Sequence, residues 1–307
     1  MLNFVYFCSM TNQQKAYLYA ISAILCWSTI GSALKLSLRY ISFVDLLFIA
    51  SLVSTIILLF ALKIFDRIQL LRKLKAQDLK RAALLGFLNP FLYYLVLLKA
   101  YDMLLAQEAG TLNYIWPVVL VLLSIPLLKQ RIGWLSILAI LISFVGTIII
   151  GTRGKFFQLQ FDNLPGIALA LGSAVFWALY WIFNVKDKKD EMLKLFLNFC
   201  FGLVYVFLYM LITKGLPTIT KVGLLGSVYI GFFEMGITYI LWLKGLHLSK
   251  TTAKVSNLVF ISPFISLIII NVTVGETIMF STITGLVLIV GGILLQRYAG
   301  KINRNRY

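Results

Sequence analysis

The sequence predicts an all-α integral membrane protein, ten transmembrane helices built as two inverted five-helix repeats. Three observations carry that prediction. Of 307 residues, 61% are hydrophobic and only 13% charged, against about 25% charged in a water-soluble domain, and the mean hydropathy is +0.93. Apolar runs of membrane-crossing length recur ten times along the chain. The second five of them echo the first five at a nearly constant offset. At roughly 20 residues per span, ten helices consume the chain and leave no room for a sizeable soluble domain.

The elements follow in order. Residues 1–15 form a short leading segment without a small-residue cleavage pattern, so no removable signal peptide is expected, and translation begins at Met1 or Met10. Span 1 (16–38) follows the polar run Thr11-Asn12-Gln13-Gln14-Lys15, and span 2 (44–65) leads into the basic connection Lys63 to Arg81. Span 3 (82–101) carries Asn89-Pro90 with Tyr93 and Tyr94; span 4 (105–127) opens near Glu108 and carries Asn113, Tyr114, Trp116 and Pro117. Span 5 (132–151) is apolar and closes the first repeat, 16–151. The second repeat, 165–297, comprises spans near 165–185, 192–213, 221–243, 251–271 and 277–297, and a basic tail, 298–307, ends the chain.

Internal similarity ties the halves together. Leu25-Cys26-Trp27-Ser28 matches Val175-Phe176-Trp177-Ala178, Leu84-Leu85-Gly86 matches Leu224-Leu225-Gly226, and Leu98-Lys99-Ala100 matches Leu243-Lys244-Gly245. Pro117 matches Pro263, and Val145-Gly146-Thr147 matches Val290-Gly291-Gly292, all within an offset of 140–150 residues. Five spans is an odd number, so the second copy enters the bilayer upside down. Inverted repeats with a site at their interface are the construction of secondary transporters.

The net charge of +17 suggests nucleic acid only in a soluble protein. Here 21 of the 28 Lys and Arg fall on the side of the termini and 7 on the other, which predicts cytoplasmic termini and an external 153–166 loop, with no nucleic-acid partner. The three cysteines are scattered and odd in number, which excludes a disulfide framework, and the single histidine, His247, excludes a multi-histidine metal site and reads as a loop residue. No cofactor is expected. No Ser–His, paired in-membrane Asp or nucleotide-binding run is present, which argues against an enzyme or an ATP-driven pump. A secondary carrier by alternating access is the leading reading, and a channel or structural membrane protein the alternative.

The polar and aromatic residues inside the spans are the candidates for a substrate pathway. An ionisable side chain at bilayer depth costs several kcal/mol unless it faces a cavity or partner. Glu234 sits mid-span in span 8, on one helical face with Gly231 and Thr238. It reads as a proton-titrating or ammonium-binding carboxylate, or as a structural partner of Lys254. Glu108 reads as a solvated interfacial carboxylate or a charge complementing the helix dipole. Trp27, Asn89, Tyr93, Asn113, Tyr114, Trp116, Trp177, Tyr180, Glu234 and Lys254 are the expected pathway residues, since such rings stack on planar ligands or hold ammonium groups. Pro90, Pro117 and Pro263 are candidate hinges, because proline frees carbonyls that a cavity must satisfy.

These residues also resemble a family. The two-repeat architecture and the closing run Val274-Gly275-Glu276-Thr277, with Gly285 and Gly291-Gly292, resemble the EamA branch of the drug/metabolite transporter superfamily over essentially all of residues 15–300. Glu108-Ala109-Gly110-Thr111-Leu112-Asn113-Tyr114-Ile115-Trp116-Pro117 is similar to the E-x-G-x-x-N-Y-x-W-P run of bacterial aromatic amino-acid exporters, as is Trp27-Ser28-Thr29. The resemblance implies a multi-pass inner-membrane carrier of small metabolites, amino acids among them, working in export. One departure stands out: Gln130-Arg131 replaces the Gly-Glu usual before span 5, so only the second half keeps the acidic residue, as Glu276.

Overall fold

A computed structural model describes residues 10–129, 133–155, 162–185, 187–250, 255 and 258–304. Among these the only regular structure is helix, with nine helices or helix pairs of membrane-crossing length and one shorter apolar helical stretch, Leu258–Val274. We number the segments α1 (Asn12–Ser37), α2 (Phe43–Ile64), α3 (Ala76–Gly86), α4 (Tyr93–Met103), α5 (Ala106–Asn113), α6 (Trp116–Leu128), α7 (Trp134–Gly151), α8 (Leu164–Val185), α9 (Glu191–Thr213), α10 (Lys221–Phe233), α11 (Ile237–Leu248), α12 (Ser262–Val274) and α13 (Phe280–Arg304). The chain is a multi-pass membrane protein.

Local chemistry sets the helix starts. A helix leaves its first N–H groups without intrahelical acceptors, and a short polar side chain just before it supplies one. Thr11 caps α1 in a reciprocal box with Gln14, Ser42 caps α2, Asp190 caps α9 and Thr220 caps α10. Span 3 starts at Ala76, earlier than its apolar run implies, because Asp78 accepts from the Lys75 backbone N–H at 2.9 Å and extends the helix through a polar turn. His247 is likewise not in a loop; it belongs to the last turn of α11.

Spans 3, 4 and 8 are each broken near their middle, and span 9 carries a tight turn. Between α3 and α4 the backbone widens over Phe87–Leu92, with Asn89 extended at φ −149° and ψ 121°. Span 4 pauses at Tyr114 and Ile115, where hydrogen bonds shorten to i−3 partners. In span 8 the helix stops at Phe233 and resumes at Ile237, across Gly236 at φ −110° and ψ −95°. Glu234 therefore caps a half-helix rather than sitting mid-helix, and the expected common face of Gly231, Glu234 and Thr238 does not exist. Gly231 packs on Ala50 and Val53, while Thr238 Oγ1 donates to the freed Phe233 carbonyl. The Met235 carbonyl is satisfied by Ser54 Oγ at 2.6 Å. Pro117 and Pro263 stand in the first turns of α6 and α12, where no intrahelical N–H is lost.

The two repeats interleave. α1 packs on α10, α11 and α12 of the second repeat, and its equivalent α8 packs on α4, α5 and α6 of the first. α2 lies against α9 and α10; in turn α9 lies against α2 and α3. α7 and α13 pair with each other, so the main partnerships between the halves have counterparts under their exchange. Small residues allow the tight crossings. A Cβ on Gly146 would stand 2.6 Å from the Gly285 carbonyl, and one on Gly285 equally close to the Gly146 carbonyl. Gly202 meets the Pro90 ring where α9 crosses the span 3 break.

Candidate functional site

At the centre, between the repeats, lies a cavity of about 190 Å³. It is bounded by the breaks in spans 4 and 8, the turn in span 9, the start of α4, and the midpoints of α1 and α8. Trp27, Tyr93, Asn113, Tyr114, Trp116, Trp177, Glu234 and Pro263, all expected from the sequence, line it. Asn89, Tyr180, Pro90 and Pro117 are not among its lining residues, and Lys254 lies outside the described residues.

Each lining group is held by the element that carries it. The break at Glu234 turns its carboxylate into the cavity, where Oε1 accepts a hydrogen bond from Tyr94 at 3.0 Å. Tyr94 is fully buried, so the phenol is a fixed donor rather than a mobile one. Tyr93, on the same turn, donates to Asn113 Oδ1 at 3.4 Å, and Asn113 Nδ2 donates to Ser173 Oγ at 2.8 Å. The Tyr114 hydroxyl donates to the Val259 carbonyl at 2.6 Å and ties the span 4 break to the turn in span 9. Around the polar centre runs a belt of rings. Trp177 lies 4.6 Å from Tyr93 and 6.5 Å from Tyr239, which meets Trp27 edge-on at 6.4 Å. Rings at such angles present both faces and edges to a planar or cationic ligand.

Asn89 and Tyr180 form a polar layer behind this belt. Tyr180 stacks on Trp177 at 5.8 Å and receives a hydrogen bond from Asn198 Nδ2 at 3.4 Å. Asn89 is fully buried, and neither of its amide atoms has a hydrogen-bond partner among the described residues.

Residues that sequence reasoning did not single out complete the cavity. Gln107, Thr111 and Tyr101 line it towards the end of the bundle opposite the termini. That end is cross-braced between the repeats. Glu276 accepts from the Ala106 and Gln107 backbone N–H groups at 2.8 and 3.2 Å, and the Gln107 amide donates to the Thr277 carbonyl at 2.9 Å. A carboxylate at these N–H groups satisfies the helix start of α5. Lys35 Nζ donates to the Tyr101 and Leu104 carbonyls at 2.9 and 2.6 Å. Glu108 occupies the first turn of α5 as expected of a dipole-complementing charge, but it is not solvated. It is 4% exposed and accepts from Nε and Nη2 along one edge of the Arg153 guanidinium, at 2.5 and 3.2 Å. That pairing raises the Arg153 pKa further above its ordinary range.

A bundle whose inverted halves interleave, whose helices break at mid-depth and whose breaks border a ring-lined cavity with a few polar groups is the architecture of a membrane transporter. The sequence pattern of the EamA-like transporter family matches residues 14–152 and, a second time, 164–298, and the chain belongs to that family. It is 28% identical over 237 residues to an uncharacterized transporter of Clostridium kluyveri, covering 75% of each chain. With an uncharacterized transporter of Archaeoglobus fulgidus it shares 25% identity over 285 residues, 92% of this chain and 98% of the other. The aromatic amino acid exporter YddG of Escherichia coli is 25% identical over 198 residues, 62% of this chain and 66% of that protein. A solved crystal structure has the same fold, with a TM-score of 0.64 at 21% identity over 94% of this chain and 99% of its own.

Proposed function

We propose that the chain is a secondary transporter that exports a small polar metabolite, with an aromatic amino acid as the first candidate, across the cytoplasmic membrane of a bacterium. Both termini are cytoplasmic, and the two repeats rock about the central cavity in alternating access. The observation that carries this reading is one carboxylate, Glu234, set in a ring of aromatic side chains at the interface of the repeats. A substrate ammonium placed on Glu234 gains a charge-assisted hydrogen bond worth about 1.5–3 kcal/mol. A planar side chain stacks between Trp177, Tyr93 and Trp27. The start of α12 at Ser262 and Pro263 points the positive end of a half-helix at the same cavity, where a substrate carboxylate is favoured. The name of the Escherichia coli relative supports the aromatic amino acid, and the 21:7 charge split supports the orientation. Glu234 also serves as the proton-carrying group if transport is coupled to protons.

The test is purified protein in liposomes, challenged with a panel of amino acids and related metabolites with and without an imposed proton gradient. Saturable, stereoselective flux of aromatic amino acids is expected. Flux that rises linearly with concentration would mark a channel, and saturable flux of other solutes only would remove the aromatic assignment.

A further inference from the structure

The cavity occupies one half of a symmetric molecule, and the repeat register shows what the other half holds. On α1 its lining residues are Trp27, Ile30, Gly31 and Leu34, which run from the bundle centre towards the end opposite the termini. The register that pairs Trp27 with Trp177 pairs Ile30 with Tyr180, Gly31 with Trp181 and Leu34 with Asn184. Because the second repeat is inverted, this series on α8 runs from the same centre towards the end that bears the termini.

Those α8 positions are unusual for buried helix in hydrocarbon. Trp181 Nε1 and Asn184 Oδ1 are buried and have no hydrogen-bond partner among the described residues. Each unmet polar atom at this depth is costly, and membrane helices normally avoid it. The series ends at a charged mouth, where Lys194 Nζ donates to the Asn184 and Asp187 carbonyls at 3.3 and 2.8 Å. The same exchange maps the cavity-lining Ile270 onto Ser124 of α6 and the cavity-lining Leu97 onto Trp242 of α11. Ser124 is 2% exposed, and Trp242 packs on Trp27 at 5.2 Å, so this half is shut here.

We infer that Tyr180, Trp181 and Asn184 line a second half-route for the solute, which opens towards the termini when the repeats exchange conformations, with Ser124 and Trp242 as its other walls. Opening brings the unmet Trp181 and Asn184 atoms into contact with water and solute. Between the centre and its charged mouth the half-route offers neutral donors and acceptors, so along that stretch a hydrogen-bonding solute passes without being bound by charge. The inference rests on the alternating-access reading and needs no knowledge of the substrate.

The experiment is Asn184→Cys in a chain whose native cysteines are replaced by serine, reconstituted in vesicles of both orientations and exposed to a membrane-impermeant cationic methanethiosulfonate. Ala178→Cys, fully buried on the same helix, sets the background. Modification of Asn184→Cys from the terminal side only, at ten times the Ala178→Cys rate or more, is expected. Background rates from both sides, or equal rates from both sides, overturn the assignment. Ser124→Cys, a near-isosteric change on the opposite wall, carries the same expectation and decides the matter if Asn184→Cys does not yield monodisperse protein. Since labelling is read without any transported substrate, a failed flux panel and a failed half-route are separate results.

Discussion

A carboxylate in a membrane cavity keeps its place only if it has a partner or a ligand, and among the described residues Glu234 has one donor, the Tyr94 phenol. The remaining acceptor capacity faces the cavity, which is why Glu234 is assigned to the substrate or its proton. Glu234→Gln keeps the shape and removes the charge. Amine binding predicts at least a tenfold loss of affinity with or without a gradient, since a hydrogen bond to a charged group contributes about 1.5–3 kcal/mol. Proton coupling predicts instead that gradient-driven accumulation is lost while substrate exchange persists. Wild-type behaviour in both assays would make Glu234 structural. Glu108 answers a different need. Among the described residues, Arg153→Ala leaves the buried Glu108 carboxylate with only the Leu105 N–H at 3.2 Å, and a loss of about 1–3 kcal/mol in thermal stability is expected. Glu108→Gln added to Arg153→Ala should recover part of that loss, and equal stability of all three proteins would show that the pair holds nothing. Both carboxylates were legible in the sequence as exceptions to an apolar background. Their partners were not, because Tyr94 and Arg153 lie 140 and 45 residues away and only the folded bundle brings them in.

The elements carry their instructions unevenly. Ten apolar runs announce ten spans because water-free surroundings force each backbone to satisfy itself as helix. The breaks were half-announced. Pro90, Pro117 and Pro263 mark three of them, yet the stop at Glu234 to Gly236 has no proline, and periodicity carried straight across it. That break depends on tertiary partners such as the Ser54 hydroxyl, which a linear pattern does not show. Helix contacts are equally specific, and α13 supplies its own control. Gly285 meets the α7 backbone, whereas a Cβ on Gly291 meets nothing within 4 Å. Gly285→Ala must push α7 and α13 apart and should cost about 1–3 kcal/mol. Gly291→Ala should be neutral or stabilising by up to about 1 kcal/mol, since alanine is the better helix former. Thermal unfolding in one detergent measures both, and matched melting temperatures would show that α7 and α13 do not depend on the close approach.

At the scale of the whole molecule, the interleaved halves share one main core. α1 finds most of its neighbours in the second repeat and α8 in the first, so the inverted arrangement shapes the packing as well as the cavity. The sequence discloses that inversion through an odd number of spans per repeat and through matched tripeptides, and it discloses orientation only through charge. Positive residues are retained on the cytoplasmic side during insertion, and 21 of the 28 lie in the connections on the side of the termini. The opposite end holds seven, and several of those are engaged. Lys35 is bonded to backbone carbonyls, Arg153 to Glu108 and Asp162, and Lys214 to Asp45. Charges consumed by folding still count for insertion, but they add little free positive charge to that end of the bundle. Single cysteines at the exposed positions Lys155 and Gln69, in a chain without native cysteines, test the orientation in intact cells. Lys155→Cys should react with an impermeant thiol reagent, and Gln69→Cys should react only after the membrane is permeabilised. The reverse pattern would place the termini outside. The cavity, which reaches towards the 155 end, would then open to the cytoplasm, and the proposed export would have to be read as uptake.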